Sequence, residues 1–301
     1  MGPIGFIGVG AMGASIASRL VGKFELLVND RNESAADDLV RAGAKFASPE
    51  EIAAKCRVVM LCLPAPKDVT GLLLGPDGLV NQIVEGTVVV DMTTSSPTAD
   101  IEVEKALRAR KASFADAAIA GGVRRARAGT AVLMVGADQD VFDRIKDLLF
   151  VVTSDAIHVG TVGTGHAMKL VNNLLNNCNR FAALESIRLG QDAGLERDVI
   201  IEVLNKSSGR NYTTEYTYPQ LLSGDTYLPQ GFTLGLMLKD LQLANELADT
   251  SGHGTPIGHL VQTFTEQAVE RFGSTADQSQ LMAEWYDGLV APAAEASEAV
   301  V

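Results

Sequence analysis

Residues 3–22, PIGFIGVGAMGASIASRLVG, set a short apolar run ahead of a glycine-punctuated turn and a segment of helical periodicity. Residues 3–8 read as a buried strand and ASIASRLVG as the helix that follows it. Between them, Gly8-Val9-Gly10-Ala11-Met12-Gly13 has G-x-G-x-x-G spacing. Gly8 allows the tight turn, Gly10 lets backbone approach a pyrophosphate, and Gly13 lets helix and strand pack closely. The phosphates would face unpaired amides at the helix N-terminus. Such a spacing alone is a weak signal, since a glycine-rich turn can also produce it. Its context is what carries weight: a second strand, ELLVND, ends at Asp30, about where an acidic side chain meets an adenosine ribose. That carboxylate would accept hydrogen bonds from the ribose hydroxyls and repel a 2′-phosphate, which favours NAD over NADP. Arg31 complicates the choice, because its guanidinium could bind that phosphate or stack on the adenine.

Outward from this turn, strand and helix patterns alternate. A helix near 33–42, the strand RVVMLCLP at 57–64, a helix from 66 and the strand TVVVDM at 87–92 come first. A helix over 98–110 and the strands ASFADA and AVLMVG follow, then a helix over 138–149 and the strand AIHVG, closing a first domain near residue 163. The alternation predicts a parallel sheet covered on both faces, a Rossmann-type α/β domain. Ligands of such sheets lie beyond the carboxyl ends of the strands, which puts Leu63, Pro64 and Thr93 to Ser96 on the rim beside a nicotinamide. Thr93 to Ser96 before Pro97 also has the composition of a helix N-cap, and Asp91 and Asp116 at strand ends suit capping and turns. Gly121 and Gly122 free the backbone to approach a ligand, and their N–H groups suit a carboxylate. Arg124, Arg125 and Arg127 read either as a solvated helix face or as a site for an anionic substrate group.

The stretch 157–194 runs from a glycine-rich lead-in into an unusually long helix. Leu170, Val171, Leu174, Leu175, Cys178, Phe181, Ala182 and Leu184 predict packing on more than one side. Lys169 and Asn173, four apart, stack on one face, continued by Asn176, Asn177 and Arg180. Asparagine is a poor helix former, so the run of five asparagines from Asn172 to Asn179 implies a requirement for amides there, if only as a polar seam between helices. Beyond it the pattern is only helical, at 196–205, 213–223, 232–252, 257–272 and 278–287, which predicts an all-α second domain; APAAEASEAVV reads as a frayed tail. The expected organisation is a dinucleotide-binding domain over 1–163, an interdomain helix over 164–194, a helical substrate and oligomerisation domain over 195–290 and a tail over 291–301.

For chemistry, Lys169 is the best proton carrier, since it lies on the first turns of a helix that should start beside the sheet's carboxyl edge. Burial, or a nearby cation such as Lys239, would make its ammonium easier to deprotonate. Among the competing histidines, His158, His166, His253 and His259, the third residue before Lys169 is His166. No carboxylate adjoins it in sequence to hold a tautomer, so a rim or supporting position is expected of it.

Composition narrows the partners. With 301 residues, 47% of them hydrophobic and 21% charged, the chain can bury a sizeable core. A formal charge of -12 argues against nucleic acid and anionic membrane as partners. Cys56, Cys62 and Cys178 lack disulfide or metal spacing, so no metal is expected and a reducing, cytoplasmic compartment fits. The N-terminal apolar run is broken by glycines and lacks a basic lead, unlike a signal peptide, and no apolar stretch reaches membrane-spanning length.

Four stretches in order, GFIGVGAMG, DAAIAGGVRRARAGT, GTVGTGHAMKLVNN and KDLQLA, give the chain a close similarity to the β-hydroxyacid dehydrogenase family over residues 3–287. Lys206 to Arg210 resembles the hydroxymethylglutarate branch of that family. The resemblance implies cofactor contacts at Gly8, Gly10, Ala11, Met12, Gly13, Asp30, Arg31, Leu63 and Pro64. It implies that Thr94 lies near nicotinamide and substrate, that Gly121 and Gly122 meet the substrate carboxylate, and that Lys169 is catalytic. Asn173 would bind substrate, Lys239 would close the site, and Arg124 is a further candidate substrate contact. Ala120 departs from the family, which usually has serine there, so one hydroxyl contact to the substrate carboxylate is missing. The implied activity is NAD(P)-dependent interconversion of a short 3-hydroxy acid and its semialdehyde by a homodimer or homotetramer. The alternatives are imine reduction on the same fold and a non-catalytic cofactor-binding module. Relatives of both kinds generally lack the lysine that this chain retains as Lys169.

Overall fold

The computed structural model describes residues 2–223 and 226–284. Its strands are β1 (Ile4–Ile7), β2 (Leu26–Asn29), β3 (Lys45–Phe46), β4 (Val58–Leu61), β5 (Val88–Asp91), β6 (Ser113–Ala120), β7 (Val132–Gly136) and β8 (Asp155–Gly160). They form one sheet in the order β3-β2-β1-β4-β5-β6-β7-β8. Alternate side chains of β1, β2, β4, β5 and β6 enter two different cores, because successive residues point to opposite faces. Val58, Met60, Val88 and Val90 lie in one core, and Val59, Leu61 and Val89 in the other. Burial on both faces is why these strands read as unbroken apolar runs.

The helices of this part are α1 (Ala11–Ala17), α2 (Asp37–Arg41), α3 (Pro49–Lys55), α4 (Pro66–Leu74), α5 (Pro97–Ala109), α6 (Gly122–Ala128) and α7 (Gln139–Val152). Ile16 of α1 and Ile145, Leu148 and Leu149 of α7 fill the first core; Ile52 of α3, Leu73 of α4 and Leu107 of α5 fill the second. One strand of the sheet was not expected, and one expectation about the sheet is corrected. β3 is a two-residue strand with both side chains exposed, too short and too polar to show periodicity. The sheet is also not wholly parallel: β7 pairs antiparallel with β6, and β8 runs parallel to β7.

The remaining helices are α8 (Thr164–Asp192), α9 (Arg197–Lys206), α10 (Tyr218–Leu221), α11 (Leu234–Thr250), α12 (Pro256–Phe272) and α13 (Gln278–Glu284). The chain divides into two compact units, Met1–Leu170 and Val171–Val301, with the division inside α8. The second unit has its own core, which includes Phe181, Leu184, Leu241 and Leu281. The helix expected over 213–223 is instead a π-turn at Thr213–Thr217, then α10, then Leu222–Ser223, which pairs antiparallel with Thr226–Tyr227. Apart from that small ladder, the second unit's described elements are helical. Val171 and Leu175, expected to be packed, are 53% and 61% exposed. Trp285, the end of the helix expected over 278–287 and the tail lie outside the described residues. Among the described residues no helix is long and apolar enough to cross a membrane.

Candidate active site

The glycine turn is built by close approach. Gly8 has φ +92°, and a Cβ there would lie 2.3 Å from the carbonyl oxygen of Cys62. A Cβ on Gly13 would lie 1.9 Å from the carbonyl oxygen of Gly8, so α1 can rest on the turn only without a side chain at that position. At Gly10 a Cβ would meet nothing within 4 Å, so the backbone there faces open space of the kind a pyrophosphate requires. Exposed Ala11 and half-buried Met12 follow on α1. Asp30 ties the turn to the end of β2: its Oδ2 accepts the N–H of Val9 at 2.9 Å and its Oδ1 that of Asn32 at 2.9 Å. A carboxylate has about four lone-pair sites, so this anchoring leaves it able to accept from ribose hydroxyls. Arg31 is exposed, with its guanidinium 3.8 Å from Asp68. These residues fit a dinucleotide.

On the rim, Thr93 Oγ1 accepts the N–H of Leu63 at 3.0 Å, and Asp91 Oδ1 accepts the N–H of Thr93 at 2.9 Å. Ser96 caps α5 by accepting from the N–H of Ala99, the capping role its composition suggested. Thr94 and Leu63 are half-buried and Pro64 is exposed. Gly121 and Gly122 both have positive φ, +124° and +71°, as β6 turns into α6. The Arg125 Nε–H donates to the carbonyl of Thr130 just past α6, while Arg124 and Arg127 are exposed.

The start of α8 is seated on the sheet. Asp116 accepts the N–H of Gly163 on Oδ1 and that of His166 on Oδ2, both at 2.7 Å. It thus satisfies amides that the first turn of a helix leaves unpaired. Gly136 and Gly165 permit the seat, since a Cβ on either would lie 2.5 Å from its nearest neighbour, Asp116 Oδ1 and the Met134 carbonyl oxygen respectively. A rim or supporting position was expected of His166, and the structure excludes the rim. It is fully buried rather than on the rim, with Nδ1 at 2.8 and 2.9 Å from the two oxygens of Asp100, itself buried in the first turn of α5. Burial alone would hold this imidazole neutral, but Asp100 first, then Asp91 and Asp116, push it up to about 9. Burial raises Asp91 and Asp116 to about 6 each. Lys169, three residues beyond His166 on α8, is half-buried. Two other histidines have structural partners. His158 stacks on Phe142 and bonds the carbonyl of Ala137, and His259 lies 3.3 Å from Asp249.

In the second unit, Asn173 donates from Nδ2 to Asp240 Oδ2 at 2.6 Å, and Lys239 Nζ lies 3.1 Å from Asp240 Oδ1. Asp240 is buried and joins the amide and ammonium singled out from the sequence. No local signal marked it, since Asn173 lies 67 residues away in the chain. Part of the asparagine run is explained in the same way: Asn172 bonds Asn173, and Asn177 is buried. Arg180, at the end of that stripe, is buried against Gln278 and Met237.

A dinucleotide turn with its ribose acid, on a sheet whose rim leads to a lysine-bearing helix, defines a nicotinamide-dependent oxidoreductase. The family profile for the NAD binding domain of 6-phosphogluconate dehydrogenase matches residues 3–161. That for the NAD-binding region of NADP-dependent 3-hydroxyisobutyrate dehydrogenase matches residues 163–285. The chain belongs to the β-hydroxyacid dehydrogenase family, whose members are NAD(P)-dependent enzymes. It is 33% identical to 2-(hydroxymethyl)glutarate dehydrogenase of Eubacterium barkeri, over 94% of each chain. It is 37% identical to NAD-dependent L-serine dehydrogenase of Pseudomonas aeruginosa, over 86% of this chain and 90% of that one. A solved structure of Mycobacterium tuberculosis 3-hydroxyisobutyrate dehydrogenase with L-serine matches with a TM-score of 0.87 at 27% identity, covering 95% of this chain and 99% of that one. An imine reductase of Streptomyces aurantiacus, 18% identical with a TM-score of 0.62 and covering 93% of this chain and 99% of that one, shares the fold alone.

Proposed function

We propose that the chain interconverts a short-chain 3-hydroxy acid and its semialdehyde, using NAD in preference to NADP, with Lys169 as general acid and base. The observation that carries this reading is the seating of α8: Asp116 fixes its first turn, and Lys169 follows half-buried on the same helix. Bound nicotinamide supplies the hydride acceptor or donor. In oxidation Lys169 takes the proton of the substrate hydroxyl; in reduction it returns a proton to the same oxygen. Gly8, Gly10, Ala11, Met12 and Gly13 hold the pyrophosphate, and Leu63, Pro64 and Thr94 border the nicotinamide. Gly121 and Gly122 receive the substrate carboxylate and Asn173 orients the substrate. Lys239 closes the site, and Arg124 offers a cation to a second acidic group. With Ala120 where the family usually has serine, carboxylate recognition rests on these backbone amides and cations.

Asp30 carries the coenzyme preference. Asp30→Ala is expected to raise the KM for NAD about tenfold or more, the loss of about 1.5 kcal/mol of charged hydrogen bonding, while improving the ratio of NADP to NAD turnover. Initial rates with each coenzyme and a panel of 3-hydroxy acids and semialdehydes test this, and an unchanged coenzyme ratio refutes it. The small-molecule substrate is accompanied by no nucleic acid or membrane partner. The protein is a cytoplasmic homodimer or homotetramer, a reading supported by free thiols and by exposed Val171, Leu175, Ile257 and Leu260 in the second unit.

A further inference from the structure

We propose that His166 and Asp100 are a positioning pair for Lys169: their buried ring–carboxylate contact fixes the first turn of α8 in rotation, and with it the lysine. The inference rests on the reading of Lys169 as the proton carrier. His166 is held twice, by elements far apart in the chain. Its N–H donates to Asp116 on β6, and its ring contacts Asp100 on α5. The first contact, together with the Gly136–Gly165 approach, sets how deep the helix end sits against the sheet. The second acts off the helix axis, on a residue three positions before Lys169, and so opposes rotation about that axis. Lysine is a long lever, and a misplacement of about 1 Å in a reacting group can cost about a hundredfold in rate.

The pair is an expensive way to fill a core. Both side chains are essentially without solvent exposure, and ion pairs so buried commonly stabilise less than apolar residues of the same volume. Their return is direction. The surroundings are acidic on several sides: Asp91 from β5, Asp116 from β6 and Asp100 from α5 all face the ring, and the Cys62 thiol lies beyond Asp91. His166 Nε2 and Asp91 Oδ2 are buried without a hydrogen-bond partner among the described residues. His166 is therefore the cation of a group containing three carboxyls. Raised above its unfolded value near 6.5, its pKa gives stability that is full below about 6.5 and lost as pH rises through about 9. Asp91 and Asp116, raised to about 6, have completed their own loss of stabilisation by about pH 7, and the Cys56 and Cys62 thiols, pushed up by burial, add a decline only above about pH 8.5, so the slope between those limits belongs to His166.

The test compares wild type, His166→Gln, Asp100→Asn and the double variant. For His166→Gln we expect kcat to fall about ten- to a hundredfold with the KM for NAD within twofold, and the melting temperature to lose its decline between about pH 7 and 8.5. The neutral Gln–Asn pair of the double variant should recover part of kcat but none of the pH slope. In wild type, NMR of the His166 ring should show a proton retained well above pH 7. A folded His166→Gln variant with wild-type kcat, or a wild-type ring titrating near 6.5, overturns the proposal; the second measurement needs no variant to fold. Stoichiometric metal in the purified protein, lost in His166→Gln, also overturns it, by making Asp91, Asp100 and His166 a cation site. Should Lys169→Ala keep full turnover, the reading of Lys169 fails, whereas the ring titration and the pH slope still report on the pair.

Discussion

Lys169→Ala is expected to lower kcat about a thousandfold while leaving the dissociation constant for NAD within about twofold. General acid–base catalysis by a positioned side chain contributes typically about a hundred- to ten-thousandfold, and alanine removes the proton carrier together with its reach. Coenzyme binding should survive because the turn at Gly8 to Gly13 and its anchor Asp30 are built from β1, α1 and β2, which the substitution does not touch. Absorbance of reduced nicotinamide gives the rate, and calorimetric titration with NAD gives the affinity. A variant within tenfold of wild type on its best substrate would falsify the assignment, and imine reduction would then be the reading to pursue.

Gly165→Ala should cost about 3 kcal/mol of stability or more, the upper range for forcing atoms into a filled site. The new Cβ would lie 2.5 Å from the Met134 carbonyl oxygen, 2.7 Å from Asp116 Oδ2 and 2.8 Å from the Asp116 carbonyl oxygen. Two of those three are backbone atoms within paired strands, which cannot turn aside as a flexible side-chain end would. The helix end must therefore lift, and the bonds from Gly163 and His166 to Asp116 lengthen with it. Urea unfolding measures the loss. Gly71→Ala in α4 is the matched control: a Cβ there meets nothing within 4 Å, and removing an exposed helical glycine should be neutral or stabilise by up to about 1 kcal/mol. Equal stabilities of the two variants would refute the close approach of α8 to the sheet.

What could be read from the sequence was whatever repeats locally. The strands β1, β2 and β4 to β7 announce themselves as apolar runs because each is buried, or largely so, over several consecutive residues, whereas β8, exposed at Asp155 and Ile157, shows only through the short run AIHVG. Lys169 and Asn173 were visible as a pair because helical spacing of four sets them on one face. The reversal at β7 was hidden because apolar content carries no direction. One clue existed: the connection over residues 121–131 falls short of the dozen or more residues that a parallel crossover takes. The partners of the site were illegible for a different reason. Asp100 meets His166 across 66 residues, and Asp240 meets Asn173 across 67. The carboxylate that meets His166 adjoins it in space and not in sequence, and tertiary contacts leave no periodic trace.

The carboxylate that receives the start of α8 belongs to a strand laid down much earlier: Asp116 reaches Gly163 and His166 across 47 and 50 residues. The amides of the first turn have their acceptor only where β6 holds Asp116 in place, so this end of the helix is tied to the integrity of the sheet. In hydrogen exchange, the Gly163 and His166 amides should open together with the strands β6 and β7, at the free energy of that cooperative unit.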